Sequence, residues 1–315
     1  MEPDLPDEAD ESPNGNADRR DDQDDGGGPA NRPGNADAEP RNREEYYADL
    51  RAAVSTEEST TARRITAEEK AAAEKWSKQT AESRWIWTEY QRKWPPEEHA
   101  PVDRAADSSA SWVGDRDRSL DSADNGRVEA ACDRIADREQ EKITPAMRAL
   151  ESQDPDRHLI GFDDRLKGRD RIKEKIYDTM EEVDSSVEEA VSIVPDTIRY
   201  TLQYRDTRYT QGVWADITRM KDQGFELLKI KNSWSGDQYK GVNSQWIEAD
   251  SGQRFEVQFH TRISYEAKQL THDAYERIRS HQADKFEQIV LEAFQKKVAD
   301  DVPTPPGAAD IPNYP

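Results

Sequence analysis

Apolar and polar positions change period several times along the chain, and each change predicts an element. Between residues 170 and 191, Ile172, Ile176, Met180, Val183, Val187 and Val191 recur every three or four positions, one stripe of an amphipathic helix that Pro195 ends. Residues 197–204 are β-branched and aromatic, as in a strand, and 210–223 return to helical spacing with Gly224 at the stop. A strand over 225–231, a polar loop from Asn232 to Gly241 and a strand over 242–248 follow. Asp250-Ser251-Gly252-Gln253 then turns the chain into a strand over 254–260, before helices over 262–280 and 283–298. Helix, strand, helix, three strands and helices specify an α/β (α+β) domain over 157–298.

The first half of the chain is patterned differently. Residues 62–94 carry Ala71, Ala72, Ala73, Trp76, Trp85, Trp87 and Tyr90 among charges, a helix that stops at Pro95-Pro96 within a Trp-rich segment over 59–96. Its tryptophans need a surface, supplied either by the rest of the chain or by a neutralising or delivery partner. Residues 97–125 have the Asp, Ser, Ala and Pro content of a linker, and 126–156 form a second helical segment, with helices over 126–140 and 145–152. Residues 299–315 form a Pro-rich tail.

Composition sharpens the division. The 315 residues are 36 % charged and 33 % hydrophobic, with a net charge of −22, so part of the chain lies outside any packed core. Residues 1–45 hold fifteen acids and five arginines, a net −10, and 1–58 are expected to be a disordered acidic leader. Residues 157–280 hold twenty bases and twenty-two acids, so an anionic ligand is expected there. No apolar run is long enough for a membrane span, and the start of the chain lacks the pattern of a secretion signal. A lone cysteine, Cys132, excludes an internal disulfide and a zinc site built from cysteines, and suits a reducing cytoplasm.

Four polar groupings carry candidate chemistry. The strand over 254–260 points Phe255, Val257 and Phe259 one way and Glu256, Gln258 and His260 the other, the pattern of either a solvated face or a polar site. Arg165, Lys167, Arg169, Arg171, Lys173 and Lys175 gather six cations, of which Arg171 and Lys175 share a helix face; such charge suits a triphosphate or merely a solvated helix start. Asp196, at the mouth of a strand, can join Glu256 as two carboxylates for one Mg²⁺. In Tyr239-Lys240-Gly241-Val242-Asn243, an exposed tyrosine can stack on a base and glycine permits close backbone approach.

Taken in order, Arg165-Leu166-Lys167-Gly168 with Arg171, Ile172 and Lys175, Asp196 with Arg199, Tyr239 to Asn243, Glu256-Val257-Gln258-Phe259-His260-Thr261, and Lys268, His272 and Tyr275 resemble the synthetase domain of RelA/SpoT-family alarmone synthetases, particularly the small toxin-like branches. The resemblance spans 157–280. It implies a nucleotidyltransferase-like mixed β-sheet flanked by helices, and transfer of the β,γ-pyrophosphate of ATP to the 3′-hydroxyl of an acceptor nucleotide. In that likeness Arg165, Lys167, Arg171 and Lys175 hold the ATP phosphates, and Asp196 and Glu256 bind Mg²⁺. Glu256 also acts on the acceptor hydroxyl as base or orienter, Tyr239 stacks on the acceptor base, and Lys231, Asn243, Gln258 and His260 lie on the acceptor side. Arg199 and His272 are further candidates.

Two departures bear on this. Arg199 stands where the family has a small residue and Thr201 where it has arginine, and His260 replaces a frequent arginine, removing a permanent cation. The acceptor is left open among guanine nucleotides, adenine nucleotides and the 3′ end of tRNA, although the near-neutral domain lacks the basic stripe of a large RNA footprint. With no hydrolase motif in the chain, the domain order suggests a toxin, cytoplasmic at synthesis and exported by a non-classical route if delivered. A non-catalytic nucleotide-binding protein on the same fold is the alternative.

Overall fold

The computed structural model describes residues 67–93 and 110–315. The acidic leader, the stop at Pro95-Pro96 and the first part of the expected linker lie outside the described residues. In chain order the elements are α1 (Ala67–Lys93), β1 (Trp112–Val113), β2 (Ser119–Leu120), α2 (Ser122–Arg138), a π-helical turn (Glu139–Ile143) and α3 (Thr144–Ser152). Then come β3 (Arg157–Ile160), α4 (Arg169–Val183), α5 (Val187–Ile193), β4 (Arg199–Tyr204) and α6 (Tyr209–Asp222). The chain continues through β5 (Phe225–Asn232), β6 (Val242–Glu248), β7 (Arg254–Thr261), α7 (Arg262–Arg279) and α8 (Lys285–Asp300).

Five strands make one mixed sheet in the order β3-β4-β7-β6-β5, with β4 and β7 parallel and the other neighbours antiparallel. This is the α/β architecture that the pattern predicts. Alternation sorts the two faces. Tyr200, Leu202, Val257, Phe259, Val242 and Trp246 are buried on one face, where α6 contributes Val213, Ile217 and Met220 to the same core. Tyr209 fastens α6 to the sheet by donating to the Phe259 carbonyl at 2.8 Å. The opposite face is polar along β4, β7 and β6.

Several elements differ from the pattern-based expectation. The expected helix over 170–191 is two helices: Asp184 turns left-handed (φ 51°), and Ser186 opens α5 with a capping box to Glu189. Val183 consequently leaves the apolar stripe and is exposed. Residues 110–125, read from composition as linker, are folded, because Trp112 and Leu120 plug into the core and Trp112 Nε1 donates to Asp170 at 2.9 Å. Two buried side chains are enough to hold a segment whose average composition is polar. Asp121 caps α2 by accepting from the Asp124 amide, so α2 begins before the expected 126. Val128, Cys132, Ile135, Ile143, Met147 and Leu150 share one core with Ile172, Ile176 and Val187, which ties α2 and α3 to the sheet domain. Burial pushes the Cys132 thiol up to about 11, leaving it protonated. The Pro-rich tail is also packed: Val302, Ala308 and Ile311 are buried, and Tyr314 exchanges backbone hydrogen bonds of 3.0 Å with Ile230 on β5.

In α1 the positions 76, 80, 83, 87 and 90 fall on one face. That face docks on the C-terminal helices: Trp76 Nε1 donates to Glu266 at 3.0 Å, and Trp87 stacks on Phe294 at 5.1 Å. Gln79 bonds Asp301, and Tyr90 bonds Glu287. Of the two expectations for this segment, docking within the chain accounts for Trp76 and Trp87, whereas Trp85 points to solvent at 64 % exposure.

Candidate active site

Strand register assembles the centre of the site. Parallel pairing of β4 with β7 sets Arg199 opposite Glu256 and Thr201 opposite Gln258. On the other side of β7, Gln245 lies opposite Glu256 and Asn243 opposite Gln258, and Lys231 of β5 lies opposite Asn243. Thr201, Gln258, Asn243 and Lys231 therefore form one row across four strands. The polar face of β7 is not simply a solvated surface, because Gln258 and His260 on it are buried.

Asp196 stands at the mouth of β4. The chain just before α4 runs beside it, held by Lys167 N to Thr197 O at 3.0 Å and Arg199 N to Arg165 O at 2.7 Å. That pairing delivers Lys167 Nζ to 3.2 Å from Asp196 Oδ2, and Lys175 on α4 reaches the same oxygen at 3.6 Å. Burial alone would raise the Asp196 pKa, but Lys167 and Lys175 outweigh it and hold the carboxylate below its usual range. Burial pulls the Lys167 pKa down despite Asp196.

A third lysine enters from α7. Lys268 Nζ donates to Gln258 Oε1 at 2.6 Å, and Gln258 Nε2 donates in turn to Glu256 Oε1. Burial, reinforced by repulsion from Arg199 and Lys167, pushes Lys268 down to about 8, with Glu256 opposing. Arg199 is half-buried, and its guanidinium makes no hydrogen bond or ion pair among the described residues. Lys167, Lys175, Arg199 and Lys268 thus surround Asp196 and Glu256, four cationic side chains against two carboxylates. An excess of cationic groups in a half-buried place suits an anion carrying several charges.

At the β6 end, Tyr239 Oη lies 2.7 Å from both Asn243 Oδ1 and His260 Nε2, and His260 Nδ1 lies 2.8 Å from Ser264 Oγ. One consistent assignment has His260 Nε2–H donating to Tyr239, whose hydroxyl donates to Asn243, while Ser264 donates to Nδ1. Burial drives the His260 pKa well below its ordinary 6.5, so the ring is neutral. A Cβ on Gly241 would come within 2.9 Å of His260 Cε1, so this glycine is what lets the loop close on the histidine. Two expectations are corrected. Tyr239 is half-buried with its hydroxyl tied down, and only its ring is left for stacking. His260 has no exposed surface and so does not line the site; the Thr261–Ser264 capping box draws it under the start of α7, where it positions Tyr239.

The basic run of 165–175 divides by face. Arg165 Nε is paired with Glu139 Oε1 at 2.7 Å, and its guanidinium lies over Phe162 at 4.1 Å. Arg169 and Lys173 both pair with Glu129. Arg169 and Lys173, four apart on α4, anchor α2, and Arg165 is engaged by Glu139 and the Phe162 carbonyl instead of facing Asp196 as the phosphate role expected of it would require. Arg171 is 70 % exposed beside Glu174, one turn from Lys175 at the rim. His272 is half-exposed on α7, 3.6 Å from Asp273 and one turn beyond Lys268. Lys268 had no role assigned from the sequence; its four-residue spacing to His272 on one face of α7 was the available signal.

The two carboxylates suit Mg²⁺. Asp196 Oδ1 is buried without a hydrogen-bond partner, which is how an oxygen reserved for a cation is left. Among the described residues no cluster of three metal-binding side chains exists, so the ion would draw its remaining oxygens from phosphates and water, as Mg²⁺ commonly does.

No protein-family model and no curated protein matches the sequence. Comparison with solved structures does find likenesses. The similarity is to alarmone synthetases. Small alarmone synthetase 1 from Bacillus subtilis, solved bound to its product pppGpp, aligns at 10 % identity and a TM-score of 0.39 over 55 % of this chain and 90 % of its own. A GTP pyrophosphokinase family protein from Streptococcus pneumoniae aligns at 13 % identity and a TM-score of 0.39 over 55 % and 86 %. The smu.1046c protein of Streptococcus mutans UA159 aligns at 12 % identity and a TM-score of 0.37 over 55 % and 89 %. Among the described residues, no helix is long and apolar enough to cross a membrane.

Proposed function

We propose that the chain is an ATP-dependent nucleotide pyrophosphokinase of the alarmone-synthetase type, acting on the 3′-hydroxyl of a guanine or adenine nucleotide. One observation carries the reading: Lys167, Lys175, Arg199 and Lys268 converge on Asp196 and Glu256 beside the parallel β4/β7 pair. Phosphoryl-type transfer depends mainly on positioning and charge neutralisation, and this is such an arrangement.

In this reading Lys167, Lys175 and Arg199 hold the ATP phosphates, with Arg171 at the rim. Asp196 would hold Mg²⁺ with Glu256 beside it, and the ion when bound polarises phosphoryl oxygens as a Lewis acid. Glu256 faces the acceptor 3′-hydroxyl and orients or takes its proton. The hydroxyl oxygen bonds to the β-phosphorus, the bond from that phosphorus to the α,β-bridging oxygen breaks, and AMP leaves with the electron pair. Tyr239, anchored through Asn243 and His260, flanks the acceptor base, with Lys231 nearby in the same cross-strand row. Transfer to the tRNA 3′ end is the second acceptor class.

The test is incubation of the purified chain with γ-labelled ATP, Mg²⁺ and separate pools of GDP/GTP, ADP/ATP and deacylated tRNA. Label moves to one pool, and Glu256→Gln lowers the rate by about 10²–10⁴, the range of a lost acid–base group. Absence of transfer to every pool while ATP still binds would overturn the proposal in favour of a nucleotide-binding module.

A further inference from the structure

We propose that Lys268 is a positioning residue for Glu256: it fixes the side-chain amide of Gln258 so that Gln258 holds one oxygen of Glu256 and leaves the other to the acceptor hydroxyl. This rests on the transfer reading above. An ammonium group only donates, so the atom of Gln258 that faces Lys268 Nζ at 2.6 Å is the amide oxygen. The amide nitrogen must then face the other way, toward Glu256 Oε1, and it donates there. A flipped amide would set its oxygen against the carboxylate and its NH₂ against the ammonium, losing both hydrogen bonds. Gln258 is 5 % exposed, so water offers little substitute.

The placement of Lys268 also argues for this task. Its ammonium lies near Arg199 and Lys167, which repel it, and near Glu256, which attracts it, and its one hydrogen bond among the described residues goes to the Gln258 amide that holds Glu256. Glu256 Oε2 makes no hydrogen bond among the described residues, which leaves it for the acceptor. Register completes the chain of contacts, because Gln258 and Glu256 are two apart on one face of β7 and the Thr261 cap sets the start of α7.

The experiment measures steady-state transfer by the full chain with Lys268→Met, Lys268→Arg and Gln258→Leu, singly and with Lys268→Met and Gln258→Leu combined. Lys268→Met lowers kcat about 10–100-fold with both KM values little changed, the usual effect of removing a group that orients another. Lys268→Arg recovers most of the rate, because its guanidinium donates to the same oxygen. The combined variant is no slower than Gln258→Leu alone. A raised KM for ATP at unchanged kcat, or multiplying losses in the combined variant, would overturn the proposal. A second measurement needs no turnover. The ¹H–¹⁵N side-chain amide signals of Gln258, assigned by their loss in Gln258→Leu, shift in Lys268→Met and stay nearly in place in Lys268→Arg. Unmoved signals refute the Lys268 contact whether or not the chain transfers pyrophosphate. Shifted signals in a chain that transfers nothing sustain the contact and refute the transfer reading alone.

Discussion

Replacing Glu139 by alanine tests the claim that the helices before β3 belong to the same folded domain as the sheet. The Glu139 side chain is 3 % exposed and accepts from Arg165 Nε at 2.7 Å, from Tyr200 Oη at 2.8 Å and from Thr144 Oγ1. Breaking one side of a buried ion pair costs about 3–5 kcal/mol. The lower end applies, because Thr144 and Tyr200 lie 2.6 Å apart and can satisfy each other, and Arg165 keeps the Phe162 carbonyl. A loss of about 3 kcal/mol lowers Tm by roughly 6–12 °C for a domain of this size. Glu139→Gln costs less, because it still accepts from Tyr200 and loses only the charge. The pH dependence has a definite sign. Burial would raise the Glu139 pKa, but hydrogen bonds from Thr144, Arg165 and Tyr200 outweigh it and hold it below 4.5. The contribution is therefore complete above that value and disappears as pH falls through the lower folded pKa. Thermal and urea unfolding of wild type and both variants from pH 7 to pH 3 should show a gap that narrows on acidification. A gap under about 1 kcal/mol at pH 7, or one that widens in acid, would refute the reasoning. Transfer should fall as well, because Arg165 carries the backbone that pairs with Arg199 and aims Lys167.

Two further perturbations separate local roles. Gly241→Ala places a Cβ 2.9 Å from His260 Cε1 and 3.1 Å from the Phe259 carbonyl; the loop must shift at a cost of about 1–3 kcal/mol, and the KM for the acceptor should rise about tenfold or more with the KM for ATP unchanged, as initial-rate kinetics will show. Trp76→Ala removes the buried indole that bonds Glu266, and limited proteolysis with mass spectrometry should then cut within α1 and leave a fragment that retains residues 110–315; an uncut helix would count against docking as the role of this face.

The sequence displayed most elements because their signals are local. Four strands and α6 to α8 were legible from alternation, helical spacing and turn residues, and the polar row Glu256, Gln258, His260 from a period of two. Break points were harder. The stripe over 170–191 runs on across Asp184, since α4 and α5 bury the same kind of face and only the Ser186–Glu189 capping box marks the second start. Residues 110–125 and 299–315 look unstructured by average composition, yet a few apolar residues in each, Trp112, Leu120, Val302 and Ile311, find the core. Average polarity does not reveal where single buried side chains land.

By itself the sequence determined the supply of chemistry: a run of cations, two carboxylates, a tyrosine loop and a strand with one polar face. Only the tertiary structure decided which of these groups work together. The 165–175 run divided between structural ion partners, Glu129 on α2 and Glu139 in the π-helical turn, and the Asp196 side: Arg169 and Lys173 share one face of α4, while backbone pairing of the preceding segment with residues 197 and 199 sets Lys167 beside Asp196. Register between β4 and β7 placed Arg199 beside Glu256, and the crossing of α7 over the sheet brought Lys268 to Gln258 from ten residues further along. Spacing along a chain fixes direction within one element. Contact between elements depends on how each buries its apolar face, and that is settled by the whole core at once.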